Sequence, residues 1–569
     1  MPPHSAGGTR CLSSAQPEPV VNDMTTSAYY SEDWRSWTAP VPPEFFNPTV
    51  LLLDRHVSSG LGDKAALIVD GIVYDYARLL THVARAANGL ATAGLIPEAR
   101  VLLFGTDSLE YLATWLGALR LGAIPVVVSD AYKASSLNYF LEDTGATHLV
   151  IDAEQWTKLE EIAADLPPTL KAVIRREDGK TPPVSIICSR PVFQLTALYD
   201  AQSPAFPPLE RHRNDIAYMF YSGGTTGTAK GIPHLLEDFI QIPARHGAFW
   251  EYSADDRVHA TSKKYFTHGL WPGVLIPLAV SATAIISRKP PTPENLIALV
   301  EGLRPTKLIT VPTVVKTVLA HVEATAIRPD FSSLELVATA SEKMAPEIFA
   351  DFHATFGVEL FDSIGSAEVT YEWIANRQAE FRRGSLGKPV FGVEIRLIGH
   401  DGTVITTPDT VGQAHVRSRT AALFYWRKLD ETLATMGGGW VRTGDELYFD
   451  QDGFFWFAGR SNDLFKVKGL WVSPIEVEAA ITAHPAVLEA AVIPWTGPDG
   501  LTKPKAYVVL KPGQQPGNDL STVIRDNVHR SIGGYKVPDV IEYTATLPRT
   551  TLLKIDRRAL RDAEEIARS

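Results

Sequence analysis

Apolar positions along the chain arrive in short runs separated by longer stretches of mixed polarity. Residues 100–105, "RVLLFG", form a run too short for a helix and aliphatic enough for a buried strand. Just beyond, Leu109, Leu112, Leu116 and Leu119 recur at three- and four-residue steps, which predicts a helix with one apolar stripe. "IPVVVSD" predicts a second buried strand, and "THLVID", "DIAYMFY", "LITVP" and "LELVATA" continue the series. Alternation of strand and helix implies parallel sheets with helices on their faces. From Gly384 to Trp456 the runs shorten and turn residues crowd between them, which predicts a smaller, mostly antiparallel β region.

After "FAGRSND" the pattern changes again. "SPIEVEAAITAHP" places Ser473 as a helix cap, Pro474 at the first helical position and Glu476 three residues after the cap, the pattern of a capping box. Strand-like "AVLEAAVIP" and "KAYVVL" follow, then a helix near 518–531. The expected fold class is α/β. It comprises a large N-terminal domain of stacked α/β subdomains with a small β region, over 43–460, and a small α+β C-terminal domain over 463–569. Residues 1–42 are rich in Pro, Ser and Gly at their start and read as a disordered leader.

Composition narrows the classes. A chain of 569 residues, 45% of them apolar, can bury a large core and exceeds one compact domain. Its net charge of −11 argues against a general nucleic-acid partner, which calls for a basic domain or stripe. Two cysteines, Cys11 and Cys188, lack metal-site spacing and make no disulfide scaffold, so a reducing compartment is expected. No apolar run approaches the roughly 18 residues that cross a bilayer, and the first residues lack the apolar core of a secretory signal. A cytoplasmic protein without a membrane partner is the expectation.

One stretch carries chemistry. "YSGGTTGTAKGIPH", residues 221–234, holds four glycines, three threonines and one lysine. Bare backbone leaves amide N–H groups uncovered, and such groups ring anions, most often phosphates. The spacing is neither that of a nucleotide-triphosphatase P-loop nor that of a dinucleotide fingerprint. A flexible turn after a strand is the plain alternative. The hydroxyls of Thr225, Thr226 and Thr228, with the Lys230 charge, tilt the reading toward a polyphosphate ligand.

"YSGGTTGTAKG" resembles the phosphate-binding motif of the adenylate-forming superfamily of acyl- and aryl-CoA synthetases, peptide-synthetase adenylation domains and luciferases. Further motifs stand in that family's order: "DSIGSAE" (362–368), "RTGDELYFDQDGFFWFAGRSND" (442–463), "KVKGLWVSPIEVE" (466–478) and "PRTTLLKIDRRALR" (548–561). The resemblance spans roughly residues 43–565. The wording of "DSIGSAE", "GSLGKPVFGVEIRL" and "KVKGLWVSPIEVE" is most like benzoate–CoA ligases and related aryl–CoA ligases.

The resemblance implies ATP, Mg²⁺ and coenzyme A as cofactors and an aryl carboxylate as substrate. ATP would meet Ser222, Gly223, Gly224, Thr225, Thr226, Gly227, Lys230, Ser341, Glu342, Asp362, Ser363 and Ile364. Glu368 would ligate Mg²⁺, where the plain reading is a solvated glutamate at a helix start. Asp445 would accept the ribose hydroxyls with Arg460 nearby; alone it would be an ordinary turn aspartate. Lys554 would bridge the substrate carboxylate and the α-phosphate; its plain reading is a surface lysine beside Arg557 and Arg558. The C-terminal domain would be mobile, swinging about Asn462 to form a tunnel for coenzyme A with Lys466, Lys468 and Gly469. The acid pocket would draw on Phe266, His268, Ala340, Ser341, Ile364 and Gly365.

The chain departs from the family pattern at Ala367, where a threonine is usual, and at Asn462, where Asp or Lys is usual. It also departs at Ser341, a common glycine, and at Leu552–Leu553, a usual small-residue pair. None of these removes a charged catalytic group, so activity is expected. The leading expectation is an AMP-forming aryl-CoA ligase for benzoate-like acids, including hydroxy- or aminobenzoates such as anthranilate. Two alternatives are a stand-alone adenylating enzyme that loads a carrier protein and a non-catalytic nucleotide-binding sensor. Either a monomer or a homodimer fits the sequence.

Overall fold

The computed structural model describes residues 38–180, 182–222, 228–340, 344, 346–461, 463–468, 470–497, 499–549 and 555–568. The leucine-marked helix, Leu109–Leu121, opens at Ser108, whose Oγ accepts from the Tyr111 N–H at 3.0 Å, and closes at Gly122 with φ of 81°. Its four leucines are buried as their spacing predicts, yet Glu110 is the one residue of the helix that is not buried. A single stripe is therefore the wrong picture. The helix packs against Tyr76–Thr92 so closely that a Cβ added at Gly117 would lie 2.9 Å from Ala86 Cβ and from the Ala87 amide. One continuous core joins Leu112, Trp115 and Leu116 to Val101, Leu103 and Val127 of one sheet and to Leu67, Ala284 and Ile309 of another. Apolar surface on all sides of the helix is what a position between two sheets demands.

The first sheet has eight strands among the described residues, in the order Lys230–Leu235, Ile216–Ser222, Ile124–Val127, Arg100–Phe104, His148–Asp152, Ala172–Arg176, Arg190–Gln194 and Ile186–Ile187. Its centre is parallel, as the alternating pattern predicts. The strand Ile216–Ser222 is parallel to Ile124–Val127 on one side and forms an antiparallel hairpin with Lys230–Leu235 on the other. The glycine-rich stretch thus joins two strands of one hairpin, with Ser222 opposite Lys230.

Among the described residues the second sheet has nine strands, running Lys388–Pro389, Glu372–Ala375, Leu360–Gly365, Leu336–Thr339, Lys307–Thr310, Arg257–Ala260, Thr283–Ile286, Ala65–Val69 and Ile72–Asp75. Six adjoining strands, from Leu360–Gly365 to Ala65–Val69, are mutually parallel. Their carboxyl ends, where open α/β sheets place ligands, lead into Thr261–His268, Val311, Ala340 and Ser363–Gly365. Residues 394–460 form the expected antiparallel β region.

The small C-terminal domain holds a hairpin of Phe465–Val467 with Leu470–Val472, a sheet of Val487–Thr496, Thr502–Leu510 and Val540–Tyr543, and helices Pro474–Thr482, Asn518–Ile532 and Arg557–Arg568. Half of the capping box forms: Ser473 Oγ accepts from the Glu476 N–H at 3.3 Å. The Glu476 carboxylate turns away to accept from Lys536 Nζ at 2.6 and 2.7 Å, because a charged partner outcompetes a backbone amide. Ser473 Oγ also donates to the Ala458 carbonyl, tying this helix to the strand Phe455–Arg460. Pro40 and Pro42, expected in the leader, are held by Gln241 Nε2 at 2.8 Å and an Arg213 guanidinium N–H at 3.0 Å. No described helix is long and apolar enough to cross a membrane.

Candidate active site

The hairpin of the first sheet meets the β region at Lys230. Gly231 follows it, and its carbonyl accepts from the Trp426 N–H at 2.8 Å, which clamps the returning strand to the segment that carries Tyr425. Lys230 Nζ lies over the Tyr425 ring, 4.7 Å from its centroid. The Tyr425 hydroxyl donates to Glu368 Oε1 at 2.9 Å. Burial, reinforced by the Glu368 carboxylate, pushes the Tyr425 phenol above its ordinary range, so it stays protonated and donates. A cation, a fixed hydroxyl and a carboxylate are thereby brought together beside a glycine-rich loop. Tyr425 belongs to none of the motifs.

Glu368 sits on a single turn, Ala367–Val369, that follows the strand Leu360–Gly365. A buried network holds that turn. His234 Nε2 contacts the Ala367 carbonyl at 2.8 Å, so that nitrogen carries the proton. His234 Nδ1 lies 3.0 Å from Thr370 Oγ1 and 3.2 Å from Asp238 Oδ2, and the Tyr218 hydroxyl donates to Asp238 at 2.8 Å. His234 ends the glycine-rich stretch, so one strand sets both Lys230 and the support of Glu368. Upstream on the strand, Asp362 Oδ1 accepts from the Ser363 N–H at 3.0 Å and from Thr339 Oγ1 at 3.2 Å. Ser363 Oγ donates back to the Thr339 carbonyl at 2.8 Å, which pins two adjacent strand ends together.

Asp445 and Arg460 face each other across antiparallel strands. Arg460 Nε is 3.0 Å from Asp445 Oδ1, with the carboxylate buried and the guanidinium half exposed. Gly444 before it has φ of 73°, a turn conformation that suits glycine.

Of the expected acid-pocket residues, the described ones, Phe266, His268, Ala340, Ile364 and Gly365, stand at or beyond the carboxyl ends of strands of the second sheet. Ala340 is buried, Ile364 and Gly365 are half-buried, and Phe266 stacks edge-on against Tyr265 with centroids 4.7 Å apart. His268, in the turn Thr267–Leu270, points Nδ1 at Ser262 Oγ, 3.1 Å away. Its Nε2 is 3.6 Å from Glu372 Oε1. Glu372 is 1% exposed, and burial raises its pKa well above the usual carboxyl value; the Tyr371 hydroxyl, its own N–H and the Arg245 charge oppose that without overcoming it. Arg245, equally buried and pushed down to about 10, spends its guanidinium on Ser418 Oγ at 2.8 Å and Thr420 Oγ1 at 3.0 Å. Glu372 went unnoticed in the sequence because "VTYEWIA" has no motif around it.

Gly223, Gly224, Thr225, Thr226, Gly227, Ser341, Glu342, Asn462, Gly469 and Lys554 lie outside the described residues. The chain on either side of Lys554 is placed. Arg549 and Ile555 form an antiparallel bridge, and Ile555 packs against the Ala491, Ile493 and Tyr507 core. Arg557 is no solvated surface charge: it makes a two-point contact to Glu478 at 3.1 and 2.6 Å and faces Asp463 at 3.9 Å. Lys466 and Lys468 are exposed, on a strand and on the following turn, where Lys468 has φ of 52°.

Among the described residues no group of three or more His, Cys, Asp and Glu side chains converges on a metal position. Glu368 offers one carboxylate. That donor set fits magnesium, which takes one or two carboxylates and fills its octahedron from phosphates and water.

A family model described as an AMP-binding enzyme matches residues 53–426, and one described as the AMP-binding enzyme C-terminal domain matches 476–554. The chain is 34% identical over 525 residues to a benzoate–CoA ligase of Thauera aromatica, covering 92% of this chain and 97% of that one. It is 33% identical over 524 residues to a 4-hydroxybenzoate–CoA/benzoate–CoA ligase of Rhodopseudomonas palustris, covering 92% and 95%. Among solved structures it superimposes, with a TM-score of 0.85 and 31% identity over 92% of this chain and 98% of the other, on an anthranilate CoA ligase in complex with anthranoyl-AMP.

Proposed function

The chain belongs to the AMP-binding enzyme family, and from that premise we propose that it is an AMP-forming ligase that activates an aryl carboxylate and transfers it to coenzyme A. The substrate carboxylate oxygen attacks the α-phosphorus of ATP, pyrophosphate leaves, and the thiol of coenzyme A then displaces AMP from the acyl adenylate. Two anions must be brought together and charge on the departing pyrophosphate must be held, which calls for cations and N–H donors placed beforehand.

The observation that carries this reading is the meeting of Lys230, the Tyr425 hydroxyl and Glu368 beside the hairpin loop. Lys230 and the loop amides of Gly223, Gly224, Thr225, Thr226 and Gly227 take the β- and γ-phosphates, with Ser222 at the loop entrance. Glu368 holds magnesium, oriented by Tyr425; when bound, that ion screens the phosphates and draws charge from the leaving group. Asp445 receives the ribose hydroxyls, two adjacent donors matched by two carboxylate oxygens, and Arg460 steadies it. Ser341, Glu342 and Asp362–Ile364 line the adenosine side. Lys554 neutralises the approach of carboxylate and α-phosphate. The C-terminal domain turns about Asn462 between half-reactions, and Lys466, Lys468 and Gly469 border the path of the pantetheine arm.

A panel of benzoic, hydroxybenzoic, aminobenzoic and aliphatic acids, assayed for AMP formation with and without coenzyme A, tests the reading. Aryl acids should support AMP release that rises with coenzyme A and yields a thioester. Transfer only to a carrier protein would reject the acceptor, and absence of AMP with every acid would reject the activity. Lys554→Ala should lower acid-dependent pyrophosphate exchange by about 10²-fold or more; unchanged exchange would remove Lys554 from its role.

A further inference from the structure

Three elements pack around Glu372. Its own strand pairs it with Gly365, and a Cβ added to Gly365 would lie 2.8 Å from the Tyr371 carbonyl and 2.9 Å from Glu372 Cα, so the two strands are flush there. The turn Thr267–Leu270 brings His268 Nε2 to 3.6 Å from Oε1. The helix Asp238–Phe249 contributes Arg245, bound elsewhere, and His246, whose Nε2 contacts the Glu372 carbonyl at 3.0 Å rather than its side chain. Glu372 Oε2 makes no hydrogen bond of good geometry among the described residues, and neither does the Tyr371 hydroxyl that faces this carboxyl. A buried oxygen left in that state calls for a reason, and this one adjoins Gly365 and His268, two residues of the acid pocket.

We propose that Glu372 is a specificity-determining residue which, together with His268, receives a hydrogen-bond-donating ring substituent, hydroxyl or amino, of the aryl carboxylate. This rests on the ligase reading above and names the acid class within it. An O–H or N–H on the ring would donate to Oε2, whereas a methyl of the same size would leave that oxygen desolvated and unmatched. Sites that hydrogen-bond a substrate group reject analogues lacking it far more strongly than apolar pockets separate similar shapes.

The test compares each hydroxy- and aminobenzoate isomer with the methylbenzoate of the same geometry, by kcat/KM for acid-dependent AMP formation. In the wild type at least one donor-bearing isomer should exceed its methyl counterpart by about tenfold or more. Comparing hydroxyl with amino at that position identifies the substituent. Glu372→Leu should bring the ratio close to one. If leucine does not fold, Glu372→Gln and His268→Gln serve, and at least one should move the ratio by about threefold. A wild type with no preference for any donor, or variants that keep its ratio, would overturn the role of Glu372 alone. Absence of AMP formation with every acid would overturn the ligase reading together with it.

Discussion

One strand, Leu360–Gly365, serves both ends of the site in opposite ways. Past its end the chain turns to present Glu368 beside Lys230, where both side chains are half-buried and their charges remain open to a ligand. Across from it Glu372 is sealed, with its pKa raised by burial and the Arg245 guanidinium committed to Ser418 and Thr420. A polyphosphate needs charged groups that are already in place and open to it. A flat, mostly apolar ring needs the reverse, a polar group stripped of water so that one missing hydrogen bond is felt. Changes at the phosphate end should therefore damage every acid equally, and changes at the acid end should reorder them.

Lys230→Ala breaks the phosphate end most severely. If Lys230 stabilises the charge that grows as pyrophosphate departs, as proposed, kcat/KM should fall by about 10²–10³-fold. The loss should be the same within error for benzoate and for any substituted acid. A loss that varies with the acid would mean that the two ends are not separate.

Tyr425→Phe sharpens the same contrast with a smaller cut. It removes the hydroxyl from Glu368 and keeps the ring under Lys230. Loss of one hydrogen bond to a carboxylate corresponds to roughly a tenfold fall in kcat/KM. On the proposed role of Glu368 as magnesium ligand, the magnesium concentration giving half-maximal rate should rise with it. An unchanged magnesium dependence would show that Tyr425 supports packing alone.

The glycine-rich stretch stood out in the sequence because its composition is local. Glycines, hydroxyls and a lysine must sit within one loop to present their donors, and that density is visible in "YSGGTTGTAKG". The parallel strands were legible too, since burial on both faces writes continuous aliphatic runs. The hairpin escaped notice, because "KGIPHL" is no more apolar than a loop and its pairing with "IAYMFYS" is a matter of register. Tyr425 stands 57 positions from Glu368, and Glu372 acquires its meaning from Gly365 across a sheet and from His268 in a distant turn. The amphipathic stripe predicted at Leu109–Leu119 erred for a related reason: four leucines mark one face, and only the second sheet reveals that the other faces are covered as well.

The mildest perturbation concerns the proton on Glu372. Burial raises its pKa in the folded state above the 4.5 of an exposed glutamate, so from that pH upward the unfolded chain releases a proton that the folded protein retains. Folding then takes up a proton, and the contribution of Glu372 to stability falls as pH rises, until the folded carboxyl itself ionises. One group can change stability by at most about 1.4 kcal/mol per pH unit. Glu372→Gln has no proton to retain, and every other titrating group is common to both proteins. The groups that face this carboxyl are His268, Arg245, Tyr371 and Tyr252. The melting temperature of Glu372→Gln relative to wild type should therefore climb as pH rises above 4.5, by on the order of 2 °C per pH unit for a domain of this size, until the folded carboxyl ionises. A difference that stays flat would mean that Glu372 is ionised in the folded protein, and the acid end would then hold a charge of the same kind as the phosphate end.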